Sequence, residues 1–295
     1  MNRDYQIITE DFCDLPADYI QKNNLAVLFT QFSVDGIDYT NDISAPNYLD
    51  PKSFYKKLRE HGNPKTVALS MDAIKTCMER YLSQGMDVIY IAFSSALSGT
   101  FNNGRLAKEE LEETYPDAKI FVVDSLSASL GQGLFVNYAV ELKKQGVSIE
   151  ELYETLQRDK QKFCHYFTVD DLNFLHRGGR VSKTAAVVGS MLGIKPLLHV
   201  NEEGKLIPIG KVRGRRQSLE ALVKKMKEKI GDNSNPVIYI SHGDCEEDAK
   251  YVQKLVKEQF GIRSFLINYV GSTIGAHSGP GTIALFFIGD NRTEN

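Results

Sequence analysis

No two of the four cysteines in this chain, Cys13, Cys77, Cys164 and Cys245, stand at Cys-x-x-Cys spacing. That argues against a disulfide framework and against a zinc site, and reads as four reduced structural thiols of a cytoplasmic protein. No apolar run approaches the ~20 residues of a membrane helix. The longest late one, Ile283-Ala284-Leu285-Phe286-Phe287-Ile288, is strand-sized. The amino terminus meets Asp4, Glu10 and Asp11 too early for a signal peptide. Excess charge is missing as well: a formal net charge of −3 gives no global drive toward nucleic acid or membrane surfaces. There is no Gly-x-Ser-x-Gly elbow, no Walker A loop and no His-Glu-x-x-His, so hydrolases, ATPases and metalloproteases lack their usual signatures. No internal repeat, low-complexity segment or Pro/Gly-rich linker divides the chain.

What is present is ordinary globular material: 295 residues, 42% hydrophobic and 25% charged, enough for one large or two ordinary domains and a buried ligand site. The first half alternates strand and helix patterns. Strands are expected over 5–9, 26–34, 87–93 and 120–124. Helices are expected over 51–61, 71–84, 101–115 and 131–145, with a further one opened by the capping-box residues Ser148 and Glu151. This rhythm points to a mainly parallel sheet covered on both faces, an α/β/α sandwich over residues 1–162. The second half, 163–295, reads as an α+β domain with a mixed sheet. It has strands over 164–169, 236–241, 264–269 and 282–288, and a hairpin of 196–200 with 206–212. Its helices are expected over 172–176, 183–192, 217–230 and 248–260.

Three stretches carry chemistry. Ser94-Ser95-Ala96-Leu97-Ser98-Gly99-Thr100 joins a strand to a helix, where Ser98, Gly99 and Thr100 can offer hydroxyls and free backbone N–H groups to a carboxylate or phosphate. The same residues can simply cap the helix. Gly271 to Gly281 holds four glycines and a single histidine, His277, followed by Ser278. It reads as a polar head-group site with His277 donating to an anion, or as a tight turn with a bonded histidine. Arg177-Gly178-Gly179-Arg180, downstream of Asp170 and Asp171, sets two arginines about a Gly-Gly break, suited to carboxylate or phosphate recognition or to surface ion pairs. The basic run Lys211, Arg213, Arg215 and Arg216 lacks interleaved aromatics, so a solvated helix face is favoured over a nucleic-acid surface. Gly131-Gln132-Gly133 lacks the third glycine of a dinucleotide fingerprint.

Taken in order, Asp14-Leu15-Pro16, Pro64-Lys65-Thr66, the Ser98-Gly99-Thr100 loop, Gly178-Gly179-Arg180-Val181-Ser182, Lys195-Pro196 and Gly279-Pro280-Gly281 resemble the DegV family of bacterial fatty-acid-binding proteins, which includes the binding subunits of fatty acid kinase. The resemblance runs from the first strand to the last. It implies two α/β domains with one long-chain fatty acid, of the palmitate, stearate or oleate class, in a tunnel between them. It implies that Thr66, Ser98 and His277 hold the carboxylate, with Gly99, Thr100 and Ser278 beside them. It further implies a non-catalytic chain without cofactor, which presents the acid to a separate ATP-dependent kinase subunit that makes acyl phosphate. Arg177, Arg180 and Arg213, beside glycine breaks, are expected to reach outward to that kinase. The chain departs from the family pattern at Val67-Ala68-Leu69, where that wall is more apolar, at Glu10-Asp11-Phe12, and at Ser278. Two rival readings remain: a hydrolase using Ser98 and His277, and a nucleic-acid-binding regulator using the basic run.

Overall fold

The computed structural model describes residues 3–182 and 193–294. The helix expected over 183–192 lies outside them. The first half runs β1 (Tyr5–Glu10), α1 (Ala17–Lys22), β2 (Ala26–Leu28), β3 (Gln31–Val34), β4 (Ile37–Thr40), α2 (Pro51–Arg59) and β5 (Pro64–Thr66). It continues through α3 (Met71–Leu82), β6 (Asp87–Ala92), α4 (Thr100–Thr114), β7 (Ile120–Asp124), α5 (Leu130–Lys144) and α6 (Ile149–Asp159). The second half runs β8 (Phe163–Thr168), α7 (Asn173–Arg177), β9 (Ile194–Val200), β10 (Leu206–Arg213), α8 (Arg215–Lys229) and β11 (Ile238–His242). It ends with α9 (Glu246–Phe260), β12 (Phe265–Tyr269), α10 (Ser272–Ser278) and β13 (Ile283–Ile288).

Strands β2-β1-β6-β7 form a parallel sheet. Its central strands are buried on both faces, as parallel strands must be when helices cover each side. Alternation decides the partners. Val88, Tyr90 and Ala92 of β6 join the core under α3 and α4. Ile89 and Ile91 join the larger core with α5 and α6. The second sheet has the order β10-β9-β8-β13-β11-β12, antiparallel except for the parallel β11–β12 pair. Helices α8 and α9 cover its outer face through Leu219, Leu222, Met226 and Val252. The α/β architecture with one parallel and one mixed sheet is therefore as the alternation implied.

Helix α5 is the layer shared by the two sheets. Its first turns, from Leu130 through Val136, are buried all round, which suits a helix apolar on every side. Two glycines let it approach so closely. A Cβ on Gly131 would meet His165 Nε2 at 2.3 Å, and one on Gly133 the Cys13 carbonyl at 2.6 Å. The Gly-x-Gly pair thus serves packing.

The strand expected over 26–34 is two strands in two sheets. The break falls at Thr30, whose N–H and hydroxyl both donate to the buried carboxylate of Asp11 (3.1 and 2.8 Å) and so leave neither ladder intact. Beyond it, β3 starts a small antiparallel sheet of order β4-β3-β5. Its hairpin turns at Asp35-Gly36, both at positive φ (54° and 81°), as a tight two-residue turn requires. This sheet and α2 pack through Phe32, Phe54 and Tyr55 against Ala276 of α10. The first half of the chain therefore reaches across to the second. The glycine-rich segment read as a head-group site or a tight turn forms a short helix, α10, and Gly275 is small because Tyr55 Oη would lie 2.5 Å from any Cβ there.

Candidate functional site

A cavity of about 190 Å³ lies between the two sheets. Its floor follows from strand alternation. Thr282, Ala284 and Phe286 line it from β13 and the residue just before, and His165 and Phe167 from β8. Phe286 and His165 are cross-strand partners. Phe12, Phe93 and Leu97 close the opposite wall, with Phe12 and Phe93 4.8 Å apart between ring centroids.

The rim is polar. Thr66 ends β5, Ser98 and Gly99 precede α4, and His277 and Ser278 end α10; all five line the cavity. Thr66 Oγ1 and His277 Nε2 lie 2.9 Å apart. Behind the imidazole stands Gly178, where a Cβ would sit 2.2 Å from His277 Nδ1. The Gly-Gly break thus makes room for the histidine. Ser278 Oγ is buried and has no hydrogen-bond partner among the described residues. A buried hydroxyl at a cavity wall without a partner is a place where a ligand oxygen would be welcome.

Thr100 stands apart from the other expected head-group residues. It is fully buried, does not line the cavity, and shares a 3.0 Å hydroxyl contact with Ser98. Ser98 Oγ also accepts from the Thr100 N–H at 3.3 Å. Thr100 therefore holds Ser98 in place at the start of α4. The capping and head-group readings of this loop are both partly realised: Ser98 ties the helix start and faces the cavity.

Arg180 does not reach outward as expected. Its guanidinium turns in, donating from Nη2 and Nε to the Leu97 carbonyl (3.1 and 3.3 Å) and from Nη1 to the Gly178 carbonyl, and it lines the cavity. Those carbonyls lie on the inward side, and Arg180 meets no carboxylate among the described residues. It brings an unneutralised positive charge to the rim. Burial, and then the charge of Arg180, push the His277 pKa down to about 4. His277 is therefore a neutral imidazole at physiological pH, able to donate one hydrogen bond and accept one. Arg177 and Arg213 stand apart from the cavity and are exposed; Arg177 lies over the Phe174 ring at 4.7 Å.

Around the cavity run two buried acid clusters, about Asp14 and Glu10, to which the sequence reading gave no role. Asp14 accepts from Ser129 Oγ and from the Gly271 N–H (3.0 Å), and Ser129 Oγ lies 2.8 Å from Ser241 Oγ. This links the first loop, α5, β11 and α10, and burial raises the Asp14 pKa well above the carboxylate range. Glu10 accepts from the Phe93 N–H, and burial pushes its pKa up to about 8. Its other oxygen faces Tyr90 and Gln132 without closing a hydrogen bond.

The rival readings fare differently. Ser98 is bonded to Thr100 and His277 to Thr66, so the nucleophile–base pair a hydrolase needs is not joined. In the basic run, Arg215 pairs with Asp248 (2.8 Å) and Asp170 (3.5 Å), and Arg216 with Glu220 (3.3 Å), which spends much of the charge a nucleic acid would meet. Among the described residues no helix is long and apolar enough to cross a membrane.

A family model described as uncharacterised protein, DegV family, matches residues 4–290. A DegV domain-containing protein of Clostridium perfringens is 43% identical over 288 residues, covering 98% of each chain. A crystal structure described as a DegV lipid-binding protein from Thermotoga maritima superposes with a TM-score of 0.84 at 29% identity, covering 98% of this chain and 100% of the other. A DegV family protein from Thermus thermophilus, described by its fatty acid binding, gives a TM-score of 0.85 at 27% identity, again covering 98% and 100%. The chain belongs to the DegV family.

Proposed function

We propose that this protein binds one long-chain fatty acid with its tail along the β8–β13 floor and its carboxylate at the rim. The observation that carries this is the joining of an apolar cavity to the Thr66–His277 pair, Ser98 and the unpartnered Ser278 hydroxyl at one end. The two solved relatives described as lipid- or fatty-acid-binding support it. A long acyl tail has about fifteen methylenes at ~0.8 kcal/mol each, a gross gain of roughly 12 kcal/mol before ordering costs. The tail supplies affinity. Hydroxyls at the rim supply orientation, and Arg180 adds charge attraction without a carboxylate of its own to release.

In this reading residues 1–162 and 163–295 are two domains holding the ligand between them, as their joint contribution to the lining suggests. The chain does no chemistry itself. It presents the carboxylate, in the cytoplasm, to a separate ATP-dependent kinase that forms acyl phosphate, with the exposed Arg177 and Arg213 as docking residues. Arg213→Ala should then lower acyl-phosphate formation at saturating lipid and leave lipid affinity unchanged; an equal loss of both would remove it from the docking surface. The binding claim is tested by denaturing extraction of the purified protein and mass spectrometry. A long-chain acid at about one per chain is expected. No acyl species, together with no uptake of added palmitate or oleate, would refute it.

A further inference from the structure

The floor of the cavity contains one residue that an all-methylene ligand does not explain. His165 lines it between Phe167 and the cross-strand Phe286, whose ring meets the imidazole edge-on at 5.4 Å. The side chain is 2% exposed, and neither ring nitrogen has a hydrogen-bond partner among the described residues. The Gly131 backbone lies close enough to the ring to favour its protonated form, without closing a hydrogen bond. Burial, and then the nearby Arg292 charge, keep the imidazole neutral, so it has one donor and one acceptor, both unused.

Such a group is expensive to keep in an apolar wall. Phe or Leu at this position would serve a plain hydrocarbon tail better. Ser129 is already committed to Asp14 and Ser241, Thr273 to Thr30, and Thr282 to the Ser278 and Gly279 carbonyls, so away from the rim His165 is the donor and acceptor left for a ligand. Its depth is set by the strands: Thr282 borders the rim and Phe286 lies four residues along, roughly 13 Å at ~3.3 Å per residue. That is short of the full length of a long-chain acid.

We propose that His165 selects fatty acids carrying a hydroxyl partway along the chain, at the depth of Phe286, roughly 13 Å along β13 from Thr282. The inference rests on the fatty-acid reading and specifies the substrate class of the same site. The hydroxyl, itself a donor and an acceptor, would pair with the neutral imidazole where a methylene leaves it unpartnered.

The test is competition binding of stearate and a series of hydroxystearates, the hydroxyl moved from near the carboxylate to near the methyl end. In the wild-type protein the mid-chain isomer is expected to bind at least about tenfold tighter than the isomer hydroxylated near the methyl end. His165→Leu is expected to erase that difference, read as the ratio between the two isomers measured within the variant. The positional series in wild-type protein needs no variant, so a misfolded His165→Leu would not blunt it. Stearate binding with every hydroxylated isomer equally weakened, as a water molecule on His165 would produce, overturns the inference alone. Failure of stearate and all isomers to bind overturns the fatty-acid reading with it.

Discussion

At the rim of the cavity the side chains are short, polar and tied to one another: Thr66 to His277, Ser98 to Thr100, Arg180 to the Leu97 carbonyl. At its floor they are aromatic or small and stand in rows set by strand alternation. The two regions divide the work of binding. Burial of a tail is non-directional and scales with area, whereas hydrogen bonds to a carboxylate are directional and individually modest. Changes on the floor should therefore cost affinity, and changes on the rim should cost orientation.

The sharpest way to break this contrast is to fill the floor. Ala284 lies between Thr282 and Phe286 on the lining face of β13. Ala284→Phe should displace several methylenes at ~0.8 kcal/mol each and weaken palmitate binding by about two orders of magnitude. Octanoate, with less tail to displace, should lose much less, as read by fluorescence competition. Equal loss for both acids would mean the tail does not lie over β13.

On the rim a smaller effect is expected. Thr66→Ala and Ser98→Ala each remove one hydrogen bond to a charged group, about 1.5–3 kcal/mol or roughly ten- to hundredfold in affinity. Both should affect long and short acids alike, because the loss is at the head group. A loss confined to long acids would move the carboxylate away from these hydroxyls.

The smallest effect concerns the wall behind Phe93. Glu10 titrates near 4.5 when unfolded but holds its proton to about 8 when folded. The unfolded chain therefore ionises first, and Glu10 costs stability as pH rises from about 4.5 through about 8. Glu10→Gln should flatten the fall in melting temperature between about pH 5 and about pH 8 without changing ligand affinity. An unchanged pH profile would show that Glu10 is not the buried proton holder.

The same contrast explains what the sequence disclosed. Buried strands such as β6 and β7 announce themselves as short apolar runs, and the hairpin of β9 and β10 by its Asn201 to Lys205 turn. The three-stranded sheet escaped because Phe32 and Val34 of β3 read on from β2 as one strand and β4 and β5 are short and mostly unburied, although Asp35-Gly36 was a hairpin signal in plain view. Helix α10 escaped because its glycines and serines are poor helix formers; packing against Tyr55 and α7 overrides that. The rim residues were legible through family motifs. Arg180 was named, but its inward turn depends on carbonyls of Leu97 and Gly178 that no linear pattern reveals. Alternation along β8 and β13 tells which side chains point inward, but not that they face a cavity, so His165 and Phe286 went unnoticed.

The most direct test of the central claim is a crystal structure of the protein with palmitate. The expected result is a carboxylate within hydrogen-bond distance of the Thr66 and Ser98 hydroxyls and an acyl chain lying over Ala284 and Phe286. A carboxylate seated instead on the floor beside His165, with the tail passing out between Thr66 and Ser98, would contradict it.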